Sequence, residues 1–200
     1  MRQPTRLLIA ALTLALAFPA LTAADSWTID TTHSVSGFTV RHMMITNVTG
    51  VFETTRGTVE YTVGNPGSIK AEVVIETKSV NTRNTRRDDD LRSDNFFNAE
   101  KFPTITFKSK RVQNATPGGF ELVGDLTIRD VTREVVLKVE GPTPPIRDAQ
   151  GNRRVGATAT TTINRKDFNI NWHRVIETGG VVVGDEVKIT LEIQAIEKKS

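Results

Sequence analysis

Cysteine is absent from all 200 residues, which excludes disulfide staples, thiolate metal sites, a cysteine nucleophile and the acylated cysteine of a lipoprotein. Histidine is nearly as scarce. His33, His42 and His173 are too far apart for metal-ligand spacing, so a structural or rim role is expected of each, and no metal. No Gly-x-Ser-x-Gly elbow and no glycine-rich phosphate loop occurs. Ser34 and Ser36 lie near His33, but neighbours in a strand face opposite ways. A hydrolase could only be assembled from distant segments. Asp88-Asp89-Asp90 lacks the alternating carboxylates and glycine of a calcium loop and is better read as acid at the start of a short helix. There is also no apolar run of the roughly 20 residues needed to cross a bilayer.

Charge of one sign is missing too. The net charge is +3, and Arg2 and Arg6 belong to the opening segment. Without them, the 26 basic residues become 24, against 23 acidic ones. What remains is scattered along the chain as Lys/Glu alternation rather than gathered into a phosphate-binding stripe, so nucleic acid is not an expected partner.

The opening residues read as an address. Arg2 and Arg6 precede an apolar stretch from Leu7 to Phe18, and small residues at Thr22-Ala23-Ala24 end it before Asp25. This is the pattern of a cleaved secretory signal peptide over 1–24. The expected location is the periplasm, or outside the cell, with one domain over 25–200. A chain of that length can bury a core without cross-links.

Period-two alternation then runs from end to end. In Ile69-Lys70-Ala71-Glu72-Val73-Val74-Ile75-Glu76 the odd positions are apolar and 70, 72 and 76 are charged, the mark of a strand with one dry face. The same pattern covers Phe38 and Val40; Val59, Tyr61 and Val63; Ile105 and Phe107; Phe120 through Ile128; Val135, Leu137 and Val139; Val155 through Ile163; and Val187 through Ile193. Turn residues at Gly64-Asn65-Pro66-Gly67, Thr116-Pro117-Gly118-Gly119 and between Pro142 and Asn152 separate several of them. About eight strands with short connections predict an all-β fold, an eight-stranded antiparallel up-and-down barrel. A sandwich satisfies the alternation as well, but only closure removes the open edges. Two stretches break the alternation: 84–98, expected as a helical cover, and 41–48, expected as a turn of helix. Both are assigned to the rim.

A strand over 67–80 would hold about 12 residues and span roughly 40 Å, or roughly 30 Å of barrel height after tilt. Small inward residues at Ala71, Gly124, Ala157 and Ala159 leave room for a long thin ligand. Phe38, Phe107 and Phe120 could equally fill that space with protein. Both readings stand on the pattern alone: a hollow barrel that binds a ligand, or a filled β-domain that acts through its surface.

The chain also resembles the YceI-like family of bacterial periplasmic proteins. The resemblance rests on Ile29-Asp30-Thr31-Thr32-His33-Ser34, Gly37-Phe38, His42, Thr49-Gly50-Val51-Phe52, Ser79-Val80-Asn81-Thr82, Arg87-Asp88, Leu91-Arg92-Ser93, Phe96-Phe97 and the run Phe102 to Ser109. Gly124 to Ile128, Val131-Thr132-Arg133 and Asn164-Arg165-Lys166-Asp167-Phe168 continue it in order. Asp90, Asp130 and Asn169 depart from the family's usual residues. The resemblance implies a lipocalin-like barrel around a long polyisoprenoid, of quinone or polyprenyl type, without catalytic residues or a further cofactor. The candidate ligand contacts are Phe38, Val40, Val59, Tyr61, Ala71, Val73, Ile75, Ile105, Phe107, Leu126, Ile128 and Leu137 on the inward faces, with Phe168 and Trp172 toward the mouth. Transient contact with the inner membrane or a membrane redox protein, as a monomer or homodimer, completes the expectation.

Overall fold

The computed structural model describes residues 24–177 and 179–199; the signal peptide expected over 1–24 lies almost wholly outside them. The strands are β1 (Asp25–Ile29), β2 (Val35–His42), β3 (Thr46–Phe52), β4 (Thr55–Tyr61), β5 (Lys70–Glu76), β6 (Val80–Asn81), β7 (Thr104–Thr116), β8 (Gly119–Ile128), β9 (Val131–Glu140), β10 (Ile146–Arg147), β11 (Arg153–Asn164) and β12 (Val183–Glu197). All pairings are antiparallel. The long last strand closes the sheet by pairing with β11 on one side and with both β1 and β2 on the other. Because β1 and β2 share one neighbour, they form a single interrupted wall position, as do β3 with β4 and β5 with β6. Eight positions therefore close into a barrel, and β5, β7, β8 and β9 complete the circuit to β11.

The outer face is charged. Glu60–Lys70, Glu72–Lys108 and Lys110–Asp125 pair across neighbouring strands. Apolar side chains point inward, which is the reverse of a barrel that sits in lipid. No helix among the described residues is long and apolar enough to cross a membrane.

Three local expectations need correction. Residues 42–45 form a tight β-turn, not a turn of helix: the Ile45 amide donates to the His42 carbonyl at 3.1 Å, and Met43 and Met44 have φ of 49° and 61°. The turn leads into strand β3, whose inward positions include Gly50. A glycine on the dry face hid that strand from the hydrophobic pattern. It is there because a Cβ at Gly50 would lie 2.4 Å from the Phe38 ring. Gly124 behaves likewise, since a Cβ there would meet Phe107 at 2.4 Å. Its small size makes room for a protein ring and not for a ligand. Third, the strand expected over 67–80 is broken. β5 has only 7 residues, and a 3-10 turn at Thr77–Ser79 separates it from β6. The break falls where β5 meets Pro103: the Thr77 amide still donates to the Pro103 carbonyl at 3.0 Å, proline has no N–H to return the bond, and the Thr77 hydroxyl donates to the Phe102 carbonyl at 2.8 Å instead.

The helical cover is α1 (Thr85–Arg92). Asn84 caps it by accepting from the Arg87 amide. Asp88, in the first turn, accepts from the Thr82 amide at 2.8 Å and the Thr82 hydroxyl at 2.5 Å. Arg92 donates to the carbonyls of Lys78 and Val80, so both ends of the helix are tied to the β6 segment. Asp89 and Asp90 serve other partners, Arg92 and Asn95. Of the family departures, Asn169 adopts φ 58°, ψ 23°, a left-handed conformation in which asparagine is among the best substitutes for glycine.

The opposite end is shut. Trp27 is fully buried and donates its indole N–H to the Tyr61 carbonyl at 3.4 Å. Arg154 bridges Asp30, at the end of β1, and Asp148, in the turn before β11, at 2.5 and 2.7 Å. Burial would push the Asp30 carboxyl up, but hydrogen bonds from His33, Arg154 and the Thr32 amide outweigh it and hold the pKa at about 2. The Arg154 hydrogen bond, aided by the Asn152 and Gln150 amides against burial, holds Asp148 at about 2. Both values are depressed from 3.8. The stability these carboxylates contribute is therefore present above pH 3.8 and lost as pH falls through about 2. Between those values the urea midpoint of the parent should fall faster than that of an Asp30→Asn/Asp148→Asn variant. Parallel curves would refute this assignment.

Candidate functional site

Barrel closure directs one face of every strand at a common axis, but the side chains there do not meet. Phe38, Val59, Val73, Ile75, Val135, Ala157, Ile189 and Leu191 point inward yet are only half-buried. What they face is a cavity of about 720 Å³, within the usual range for ligand sites of roughly 300–1,000 Å³. Only three residues of its wall are well exposed, Asn84, Arg86 and Asp90. All three belong to α1 or its cap. The cavity therefore opens beneath that helix and is closed at the Trp27 end.

Twelve of the residues singled out in the sequence line this cavity: Phe38 and Val40 from β2, Val59 from β4, Ala71, Val73 and Ile75 from β5, Ile105 and Phe107 from β7, Leu126 and Ile128 from β8, Leu137 from β9, and Trp172 from the segment before β12. Two do not. Tyr61 is buried at the closed end, where its hydroxyl accepts from the Gly64 amide at 3.0 Å. Phe168 is 1 % exposed, within the packed 3-10 turn Arg165–Phe168. Alternation indicates a face, but not whether the face meets space or neighbouring protein.

The strand alternation does not reveal the outer half of the wall. An aromatic series runs from Phe38 through Phe52 to Phe97 with centroids 5.7 and 5.4 Å apart, and Phe96 lies 5.6 Å from Trp172. Leu91, Phe96 and Phe97 lie in the 84–98 stretch, where their spacing already suggests inward-facing positions on a short cover, and all three line the cavity. On β12, Ile189, Leu191 and Ile193 were legible as inward positions and belong to the wall.

The rim is polar and mostly cationic. Arg86, Arg87 and His42 line it together with Asn84 and Asp90. Arg86 and Arg87 occupy the first turn of α1, where the helix dipole disfavours positive charge. Arg87 is held in place by donating to the Thr82 hydroxyl at 2.7 Å and the Thr82 carbonyl at 2.8 Å. Deeper, Ser36 and Thr55 satisfy each other at 2.8 Å, and Thr161 adds a hydroxyl to an otherwise largely apolar wall. Beside the mouth, Arg165 is 4 % exposed and donates to the carbonyls of Ile170, Trp172, Val183 and Gly184 and to Asp185. Burial pulls its pKa down and Asp185 opposes that. Among the described residues no group of three or more His, Asp or Glu is arranged to hold a metal ion. His33 lies far from this mouth, on Asp30 at 2.8 Å.

The model of the YceI-like domain matches residues 27–195. A UPF0312 protein of Staphylococcus aureus is 36 % identical over 163 residues, covering 82 % of this chain and 92 % of its own length. The crystal structure of a Campylobacter jejuni YCEI protein is 29 % identical, with TM-score 0.69 over 79 % of this chain and 90 % of that one. Burkholderia cenocepacia BcnA, at 20 % identity, and a polyisoprenoid binding domain from Saccharophagus degradans, at 17 %, share the fold with TM-scores of 0.69 and 0.64. They cover 83 % and 88 % of this chain, and 98 % and 100 % of their own.

Proposed function

We propose a lipid-carrier function from two premises: the chain belongs to the YceI-like family, and its barrel encloses an apolar cavity open at one end only. The cavity carries the reading. A blind apolar tunnel with a polar rim suits a molecule with a long apolar tail and one polar head. Each methylene withdrawn from water contributes about 0.8 kcal/mol, and the interior makes little polar demand of the tail, since Ser36 and Thr55 already pair and the lining is otherwise mostly apolar. The rim donors Arg86 and Arg87 suit a head group with acceptor oxygens, which a quinone and a polyprenyl phosphate both possess. A polyisoprenoid fits this shape, and the S. degradans domain named for binding one has the same fold. The protein acts by binding, not catalysis, in the periplasm after removal of residues 1–24.

The test is organic extraction of protein purified from its native host, followed by mass spectrometry. The expected result is close to one isoprenoid lipid per chain, from a protein whose intact mass begins within a residue or two of Asp25. A lipid-free native protein that also fails to take up added isoprenoid would overturn the carrier reading and favour action through the outer surface.

A further inference from the structure

The turn joining β2 to β3 is built against two preferences at once. A hairpin β-turn with positive φ at both central positions normally takes Asn-Gly or Asp-Gly, yet Met43 and Met44 stand there with φ of 49° and 61°. Large apolar side chains are normally buried, yet Met43, Met44 and Ile45 are 40 %, 51 % and 74 % exposed. Neither backbone nor solvent explains two methionines and an isoleucine in succession at this tip. Backbone strain kept at an exposed site points to a function of that site.

The tip has a neighbour of the same kind. Val175 and Val181 pair to form a small hairpin, and Val175 is 60 % exposed. The Met43 amide donates to the Val182 carbonyl at 2.8 Å. A Cβ at Gly180 would lie 3.2 Å from the Met44 side chain and 3.1 Å from Ile176. The two tips thus form one apolar lip. Its inner side continues into the cavity wall through His42, Val182 and Val183. Arg41 and Arg174 are exposed beside it and Arg86 and Arg87 stand at the rim, against the acids Glu177 and Asp90. Asp185 is engaged by Arg165 and Lys166.

We propose that this lip docks on a bilayer carrying anionic lipid, with Met43, Met44, Ile45 and Val175 inserted at the headgroup boundary and the cavity mouth facing the membrane surface. Apolar insertion flanked by basic side chains is the pattern of peripheral membrane attachment. Docking goes beyond the carrier reading, because it can be measured on the emptied barrel.

Flotation of delipidated protein with vesicles of phosphatidylethanolamine and phosphatidylglycerol tests it. The parent should float with these vesicles, less with pure phosphatidylcholine, and less again at high salt, which screens exposed charge. Met44→Asp/Ile45→Asp should lower the vesicle partition coefficient by roughly tenfold or more, since losing one well-inserted apolar side chain is worth about that factor. Aspartate accepts the left-handed backbone at position 44 better than methionine does, so the variant should fold and keep its capacity for lipid. Ile146→Asp, 66 % exposed at the closed end, should float like the parent. As a second readout without loss of apolarity, Ile45→Trp should be quenched by brominated lipid.

The docking proposal is overturned if the parent ignores anionic vesicles or if Met44→Asp/Ile45→Asp floats like the parent. A parent that is a dimer in solution, made monomeric by the same substitutions and inert to vesicles, would instead assign the lip to a second copy. Docking by a protein that binds no isoprenoid would leave the lip standing and remove the carrier reading. Bound isoprenoid without docking would do the reverse.

Discussion

Ala71→Trp is expected to fold about as stably as the parent when lipid-free, and to lose the longest cargo. Ala71 lines the cavity and is paired with Val59, whose neighbour on the other side is the buried Trp27. It therefore sits near the floor of the blind tunnel. An indole there shortens the tunnel from below. Excluding two or three methylenes at about 0.8 kcal/mol each lowers affinity for a full-length chain by roughly ten- to fiftyfold. In a packed interior the same substitution would displace neighbours and cost about 1–3 kcal/mol or more of stability. The readouts are the chain lengths of extracted lipid and the urea midpoint of delipidated protein. Lys70→Trp, whose side chain is 78 % exposed on the outer face, is the control and should keep both. An unchanged lipid profile in Ala71→Trp would mean that cargo does not reach the floor. A large loss of stability in the emptied protein would mean that the space is not available to cargo.

Arg165→Met is expected to cost about 2–4 kcal/mol of stability, because four carbonyls lose a buried charged donor while Asp185 keeps its Lys166 partner. The guanidinium is 4 % exposed and joins two separate segments: Ile170 and Trp172 after the 3-10 turn, and Val183, Gly184 and Asp185 at the start of β12. Methionine fills similar volume but leaves these carbonyls without their donor, and buried unsatisfied acceptors are costly. Lysine restores the charge but not the planar fork, so Arg165→Lys should recover only part of the loss. Urea denaturation of all three proteins checks the order. Because Trp172 lines the cavity, the methionine variant should also show a changed Trp emission before unfolding. A loss under about 1 kcal/mol would show that the contacts are replaceable by water.

Much of the barrel is legible in the order of residues alone. The alternations at 69–75, 120–128 and 187–193 became β5, β8 and β12 with the expected faces inward, and the break at 84–98 contains α1. Strand β3 was not legible, because Gly50 occupies an inward position for the sake of the Phe38 ring. Gly124 looked like room for a ligand and proved to be room for Phe107. In both cases the meaning of a small residue depended on a side chain more than ten positions away. The spacing of Phe96 and Phe97 suggested that they face inward, as they do, but the contribution of Arg86 and Arg87 to the rim was hidden. Their placement follows from the clamps of Asp88 on Thr82 and of Arg92 on Val80, and no local period records such contacts.

What the sequence determined by itself is the face that residues of the alternating strands present and the absence of cross-links or a thiolate site. Those are local or compositional properties: successive Cβ atoms alternate across a strand, and a missing residue type is missing everywhere. Only the tertiary structure decided that the inward faces fail to meet. Whether a barrel is hollow depends on the summed volume of side chains from eight wall positions against the space that strand number and tilt enclose, and no single segment carries that sum.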